Sequence, residues 1–313
     1  MRLRPFTATL ALLAAAVLLA GSGMAREELA GEPTGTHPHG VPAAVAGAPG
    51  PGPVQQAYAR SGGWRLVWSD EFAGPAGRRP DRGRWVFDRG GEPRWGNHEW
   101  EYYTDRPGNV SLDGRGHLAI TARHEKRRGM RCASGPCDIT SGRIKTKGRF
   151  ARAYGRFEAR IRIPRGQGLW PAFWMMGADS DRVAWPANGE IDVMEALGRQ
   201  PDTVHGAVHG PGYVAQGIER HTRLGAGGRL SDDFHTYRVD WVPGRITWYL
   251  DGKAYGSASA DRLRRGQRWV FDHPHYLLLN LAVGGDWPGP PDRSTPFPAR
   301  MLVDYVHVYA PSR

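Results

Sequence analysis

Glu190, Asp192 and Glu195 lie close together in the run Gly-Glu-Ile-Asp-Val-Met-Glu-Ala-Leu-Gly. The intervening Ile191 and Val193 favour a strand, where alternate residues share a face. Glu190 and Asp192 then point the same way, while Glu195, an odd step from Glu190, falls out of phase. A β-bulge near Val193–Met194 would insert one residue and restore the phase. The three acids are therefore predicted to share one surface. Crowding like charges there gains nothing for folding, but it suits glycosidic bond cleavage. A retaining glycosidase uses two carboxyl groups about 5–5.5 Å apart, one as nucleophile and one as acid/base. A third acid between them can spread their pKa values apart. Taken alone, the triplet also reads as a solvated acidic edge strand or a metal site.

The elements that must hold these acids are strands. Phe157, Ala159, Ile161 and Ile163 alternate with Glu158, Arg160 and Arg162, the period of a half-buried strand. Ile246 to Leu250 runs into Asp251-Gly252, a hairpin signal, and resumes at Lys253. Tyr276 to Val283 is almost wholly apolar, as expected of a strand covered on both faces, and Met301 to Tyr309 supplies a closing strand. Dense Gly and Pro punctuation and the lack of an amphipathic helix predict an all-β fold of two packed sheets.

Arg2 and Arg4 precede an apolar run from Thr7 to Ala20 and then small residues to Ala25. Residues 1–25 read as a secretory signal peptide, because about 14 apolar residues are short for a membrane span of roughly 20. Residues 26–60, rich in Pro, Gly and Ala, read as a flexible linker. Residues 61–313 are then the catalytic domain, large enough for one β-sandwich. The two cysteines, Cys132 and Cys137, suit a small disulfide loop in an exported protein. The net charge is +11, two of which would leave with Arg2 and Arg4. The basic residues are scattered without a nucleic-acid motif, so no nucleic acid is expected as partner. Weak, salt-sensitive retention on anionic cell-wall polymers is compatible with that charge.

Flanking blocks narrow the reading. Gly168-Leu169-Trp170-Pro171-Ala172-Phe173-Trp174-Met175-Met176-Gly177 precedes the acids, and His205-Gly206-Ala207-Val208-His209-Gly210-Pro211 follows them. With Leu66 to Phe72, Gly96 to Thr104, Thr140 to Arg143, Leu279 to Gly285 and Met301 to Val306, the chain resembles glycoside hydrolase family 16, in its laminarinase-like endo-β-1,3-glucanase branch. That resemblance implies a β-jelly-roll sandwich of two antiparallel sheets with a concave glycan-binding cleft. It also implies a secreted, monomeric retaining hydrolase of laminarin-like or cell-wall β-glucans that needs no catalytic cofactor. Hydrolysis or transglycosylation of another glycan (mixed-linkage glucan, galactan) and non-catalytic glucan recognition are the alternatives. The family's motif order makes Glu190 the nucleophile, Glu195 the acid/base and Asp192 their tuning partner.

Trp170 and Trp174, four apart, share a strand face, where indoles can stack on sugar C–H faces or pack in a core. Trp287 is a further sugar-binding candidate. Asn97, Arg143, His209 and Asn280 match cleft positions of the family, although Asn280 could instead satisfy backbone groups. His205 and His209 have the spacing of a helical zinc pair on what reads as a strand, which argues against metal catalysis. Glu71 and Asp304 match the family's structural calcium position and are equally readable as surface acids.

Overall fold

The computed structural model describes residues 63–312 apart from 133–134, 215–216 and 226, so the expected signal peptide and linker lie outside the described residues. The alternating segment becomes the strand Gly155–Arg162, with every second side chain buried. Its apolar set (Phe157, Ala159, Ile161) enters the core. The hairpin forms where Asp251-Gly252 predicts it. Leu250 pairs with Lys253, and both turn residues take positive φ (48° and 78°), as a two-residue turn between twisted strands requires.

The strands form two large sheets. One has ten strands, with a main path of Lys253–Ser259, Arg245–Leu250, His235–Val242, Gly155–Arg162, Ala299–Pro311, Leu118–His124, Ile139–Ser141 and Glu101–Tyr103. Trp64–Asp70 and Val110–Leu112 attach beside this path. The other has seven, in the order Arg220–Arg223, Thr203–His209, Glu190–Glu195, Leu169–Gly177, His275–Val283, Arg143–Lys145 and Val86–Phe87. Helical structure among the described residues amounts to the short 3₁₀ turn Ala260–Arg262.

The sheets are antiparallel as expected, apart from one pair. Glu101–Tyr103 and Ile139–Ser141 run parallel. They are not consecutive strands: the chain passes through Val110–Leu112 and Leu118–His124 between them, and such a crossover permits parallel pairing where a tight hairpin cannot. A separate two-stranded ribbon, Arg131–Cys132 with Gly135–Pro136, carries the Cys132–Cys137 disulfide.

The core lies between the sheets. Trp241 and Trp248 from the larger sheet are fully buried, as are Phe173, Ile191, Val208 and Leu279 from the smaller. Each such large side chain contributes about 1.5–3 kcal/mol relative to exposure. His275–Val283 is buried at all nine positions, which explains its lack of polar alternation. The thirteen-residue strand Ala299–Pro311 is the main seam of the larger sheet. It pairs with Leu118–His124, Gly155–Arg162 and Trp64–Asp70.

Glu71 and Asp304, the calcium candidates, each meet a basic side chain. Arg160 Nη1 donates to Asp304 Oδ2 at 2.6 Å, and Glu71 Oε1 faces His307 Nε2 at 2.8 Å. Each carboxylate already faces a basic side chain. Strand register supplies these partners: Arg160 lies opposite Tyr305, beside Asp304, and Asp70, beside Glu71, lies opposite Val306.

Candidate active site

The acids sit on the strand Glu190–Glu195, and the extra residue is where the phase argument places it. Against Leu169–Gly177, Trp174 pairs with Asp192 and Phe173 with Met194, so Val193 has no partner. Against Thr203–His209, Asp192 pairs with Ala207 and Glu195 with His205. Val193 and Met194 together therefore oppose Gly206. Their side chains are buried in the core, and Glu190 and Glu195 are both partly exposed on the other face.

Register then maps the open face of the seven-stranded sheet. One cross-strand row runs Arg143, Asn280, Ala172, Glu195, His205, His221. The next runs Lys145, Leu278, Trp174, Asp192, Ala207, and a third runs Tyr276, Met176, Glu190, His209. The site residues read from the sequence thus meet on one surface, with Asn97 and Trp287 brought in by loops.

Each outer carboxylate is held by an indole. Trp170 Nε1 donates to Glu195 Oε1 at 2.9 Å, and Trp185 Nε1 donates to Glu190 Oε2 at 2.5 Å. Asp192 is buried, its Oδ2 lying 3.2 Å from His209 Nε2, while His209 Nδ1 donates to the Val214 carbonyl at 2.7 Å. Burial opposes a charge on His209. The hydrogen bond and charge of Asp192, the charge of Glu190 and the Val214 carbonyl outweigh it and raise the imidazole to about 10.

Burial, then repulsion from Asp192, raises both glutamates. His209 opposes both shifts, with the Trp185 bond on Glu190 and the Trp170 bond on Glu195 acting in the same sense. Glu190 reaches about 8 and Glu195 is displaced well above the carboxylate range. Neighbouring carboxyls with Asp192 between them cannot all ionise freely, and one that keeps its proton beside one that gives it up is the arrangement acid-assisted displacement needs.

A wall of aromatic and amide groups adjoins the acids. Trp170 meets Trp287 edge-on at 5.4 Å. The Arg143 guanidinium lies 4.8 Å from the Trp174 ring centroid and 4.7 Å from that of Trp95. Trp174 Nε1 donates to Asn280 Oδ1 (2.7 Å), Asn280 Nδ2 to Tyr103 Oη (3.2 Å), and Tyr103 Oη to Glu99 Oε2 (3.0 Å). Asn97 Nδ2 donates to Glu99 Oε1 at 3.1 Å. Asn280 satisfies side chains and thereby fixes Trp174, rather than capping backbone groups.

Beneath this relay, Glu101 is fully buried. Its Oε2 accepts the Val283 amide at 2.7 Å, while its Oε1 finds no donor among the described residues. Burial, then the charge of Glu99, holds Glu101 protonated well above its usual range. A proton on Oε1 satisfies both carboxyls. The linkage has a definite sign. The unfolded chain releases this proton above its ordinary pKa while the folded chain retains it, so stability falls as pH rises from that value toward the folded one. Glu101→Gln keeps a donor toward Glu99 and an acceptor for Val283. It is expected to raise Tm at pH 8 and leave Tm at pH 4 nearly unchanged. Equal shifts at both pH values, read by thermal unfolding, would rule out the shared proton.

Three functional features escaped the sequence reading. Trp185 lies in an irregular loop, and its one signal is a lone exposed tryptophan shortly before Glu190. Glu99, Glu101 and Tyr103 lie in the Gly96–Thr104 block, which the sequence reading used only for the family resemblance. Gly206 was given no role of its own, yet a Cβ there would sit 2.5 Å from Trp248 Nε1 and 2.8 Å from Tyr255 Oη. Trp248 Nε1 donates to the Asp192 carbonyl at 2.7 Å, so Gly206 admits the ring that anchors the bulge.

A sequence model described as Glycosyl hydrolases family 16 matches residues 97–307. The chain belongs to glycoside hydrolase family 16. It is 41% identical to "Beta-glucanase" of Rhodothermus marinus, with 79% of this chain and 85% of that protein covered. It is 36% identical to "Glucan endo-1,3-beta-glucosidase A1" of Niallia circulans, covering 79% of this chain but 38% of that longer protein. Its fold is similar to the crystal structure of endo-beta-1,3-glucanase from Pyrococcus furiosus, with TM-score 0.73 and 46% identity over 79% of this chain and 94% of that one. The family membership makes the chain a glycoside hydrolase with no requirement for a catalytic cofactor. Among the described residues no helix is long and apolar enough to cross a membrane.

Proposed function

We propose that this family 16 hydrolase is an endo-acting β-1,3-glucanase that cleaves laminarin-like or cell-wall glucans with retention of configuration. The observation that carries the reading is the bulged strand, which sets Glu190 and Glu195 on one face with separate indole donors. Glu190 attacks the anomeric carbon while Glu195 gives its proton to the departing glycosidic oxygen. The glycosyl ester on Glu190 is then opened by a water that Glu195 deprotonates. Two inversions leave the configuration unchanged. Trp170, Trp174 and Trp287 offer ring faces and edges to glucose units, with Arg143, Asn97 and Asn280 beside them for hydroxyl contacts. The glucanase names and the 46% identity to a solved endo-beta-1,3-glucanase favour β-1,3-glucan as substrate.

The test is digestion of laminarin, curdlan, barley mixed-linkage glucan and agarose, with the first product followed by NMR. Short β-1,3-oligosaccharides appearing first as the β-anomer are expected. Activity on agarose alone would overturn the substrate, and an initial α-anomer would overturn the mechanism. The apolar run from Thr7 to Ala20 supports export, and the net charge of +11 supports weak retention on anionic wall polymer. Enzyme found only inside cells, or wall binding indifferent to salt, would count against that placement.

A further inference from the structure

A second group of ligand-type side chains lies on the catalytic face, one strand beyond the acids' neighbour. His205 and His221 are a direct cross-strand pair. Glu219 lies two residues before His221, on the same side of the chain's path into the edge strand Arg220–Arg223. His205 Nδ1 is 2.6 Å from Glu219 Oε1, and His221 Nδ1 is 3.9 Å from that same oxygen. One ligand atom from each residue lies within 4.8 Å of the other two.

Two imidazoles and a carboxylate converging on one point form a set that zinc takes with a coordination position left open. An ordinary His–Glu ion pair accounts for His205 and Glu219 but assigns nothing to His221. The His205 ring is fixed edge-on against Trp287, 5.0 Å between centroids, and its Nδ1 is the nitrogen directed at the cluster. Glu219 and His221 are 41% and 64% exposed, so an ion enters from solvent without opening the fold.

We propose that His205, Glu219 and His221 form a binding site for a divalent transition metal of the zinc class at the rim of the catalytic cleft. His205 stands between this point and Glu195 in one cross-strand row and touches Trp287. A metal with its remaining water ligands therefore narrows the path of a glucan past Trp287, and metal and glucan compete. The competition rests on the glucanase reading; the metal binding does not.

Calorimetric titration of the metal-stripped protein with zinc, and the visible spectrum of its cobalt form, test the site directly. One equivalent is expected to bind, with a four-coordinate cobalt spectrum. Loss of groups that merely orient metal ligands costs about 10–100-fold in affinity, so His221→Ala and Glu219→Gln are each expected to weaken binding at least about tenfold. Both keep metal-free glucan hydrolysis. Zinc raises the apparent KM in the wild type and leaves it unchanged in His221→Ala. Absence of binding overturns the proposal. So does unaltered affinity in His221→Ala, which would place the ion on Glu190, Asp192 and His209, the other cluster with metal-type ligands among the described residues. A protein inactive on laminarin that still binds zinc through His221 removes the glucanase reading and leaves the site intact.

Discussion

Glu190→Ala is expected to lower kcat on β-1,3-glucan by at least about 10⁴-fold, since loss of a nucleophile from a cooperating set can cost up to about 10⁶. Azide should restore turnover with an α-glycosyl azide as product. The small anion occupies the space of the missing carboxylate and attacks from its side, while Glu195 still protonates the leaving oxygen. Glu195→Ala should behave differently. General acid catalysis contributes roughly 10²–10⁴-fold, so polymer cleavage falls by about that factor. An aryl glucoside whose leaving group needs no proton should still form the glycosyl ester on Glu190. Azide then opens that ester from the opposite face and gives the β-azide. The two anomers separate the nucleophile and acid/base roles that the family's motif order implies for Glu190 and Glu195. A β-azide from Glu190→Ala would exchange those roles.

The second large effect concerns a residue that touches no substrate. Gly206→Ala is expected to lower Tm by about 2–12 °C, from overpacking of roughly 1–3 kcal/mol at about 2–4 °C per kcal/mol for a domain of this class. It is also expected to lower kcat by about 10²-fold, because the new methyl displaces Trp248 from the Asp192 carbonyl and shifts the bulge that phases Glu195. A misplacement near 1 Å is worth about that factor. KM should change little, since the aromatic wall stands on other strands. Wild-type kcat in a thermally weakened Gly206→Ala protein would show that the Trp248 anchor stabilises the fold without setting the geometry of the acids.

What was legible follows from how local each signal is. The bulge could be deduced because an odd step between two glutamates on an apolar-alternating strand has few solutions. Trp170 and Trp174 were legible through the same two-residue period, and Asp251-Gly252 through turn chemistry alone. The role of Gly206 was not, because the ring that requires it comes from the opposite sheet, and sequence order does not reveal which strands stack. The ion pairs of Glu71 and Asp304 were hidden for a similar reason. Their partners His307 and Arg160 come within reach only through the register of the seam strand. Trp185 lies where no period operates, so its nearness in sequence to Glu190 was the one hint that its indole would reach that carboxylate. The parallel pairing of Glu101–Tyr103 needed a crossover that local pattern does not specify.

The seam strand also bears on synthesis. Ala299–Pro311 emerges last among the strands, yet it joins Trp64–Asp70, the first, to the rest of the larger sheet, and His275–Val283 closes the smaller one shortly before. Until these two strands leave the ribosome, earlier strands present unfilled edges, and the strand buried at all nine positions is also one of the latest made. Because its pairing partners are already present, that segment can be captured as it appears. A nascent chain halted before residue 275 would carry the acids and Trp170 with neither sheet complete. Productive folding is thus gated by translation of residues 275–311, and chaperone demand should peak just before it.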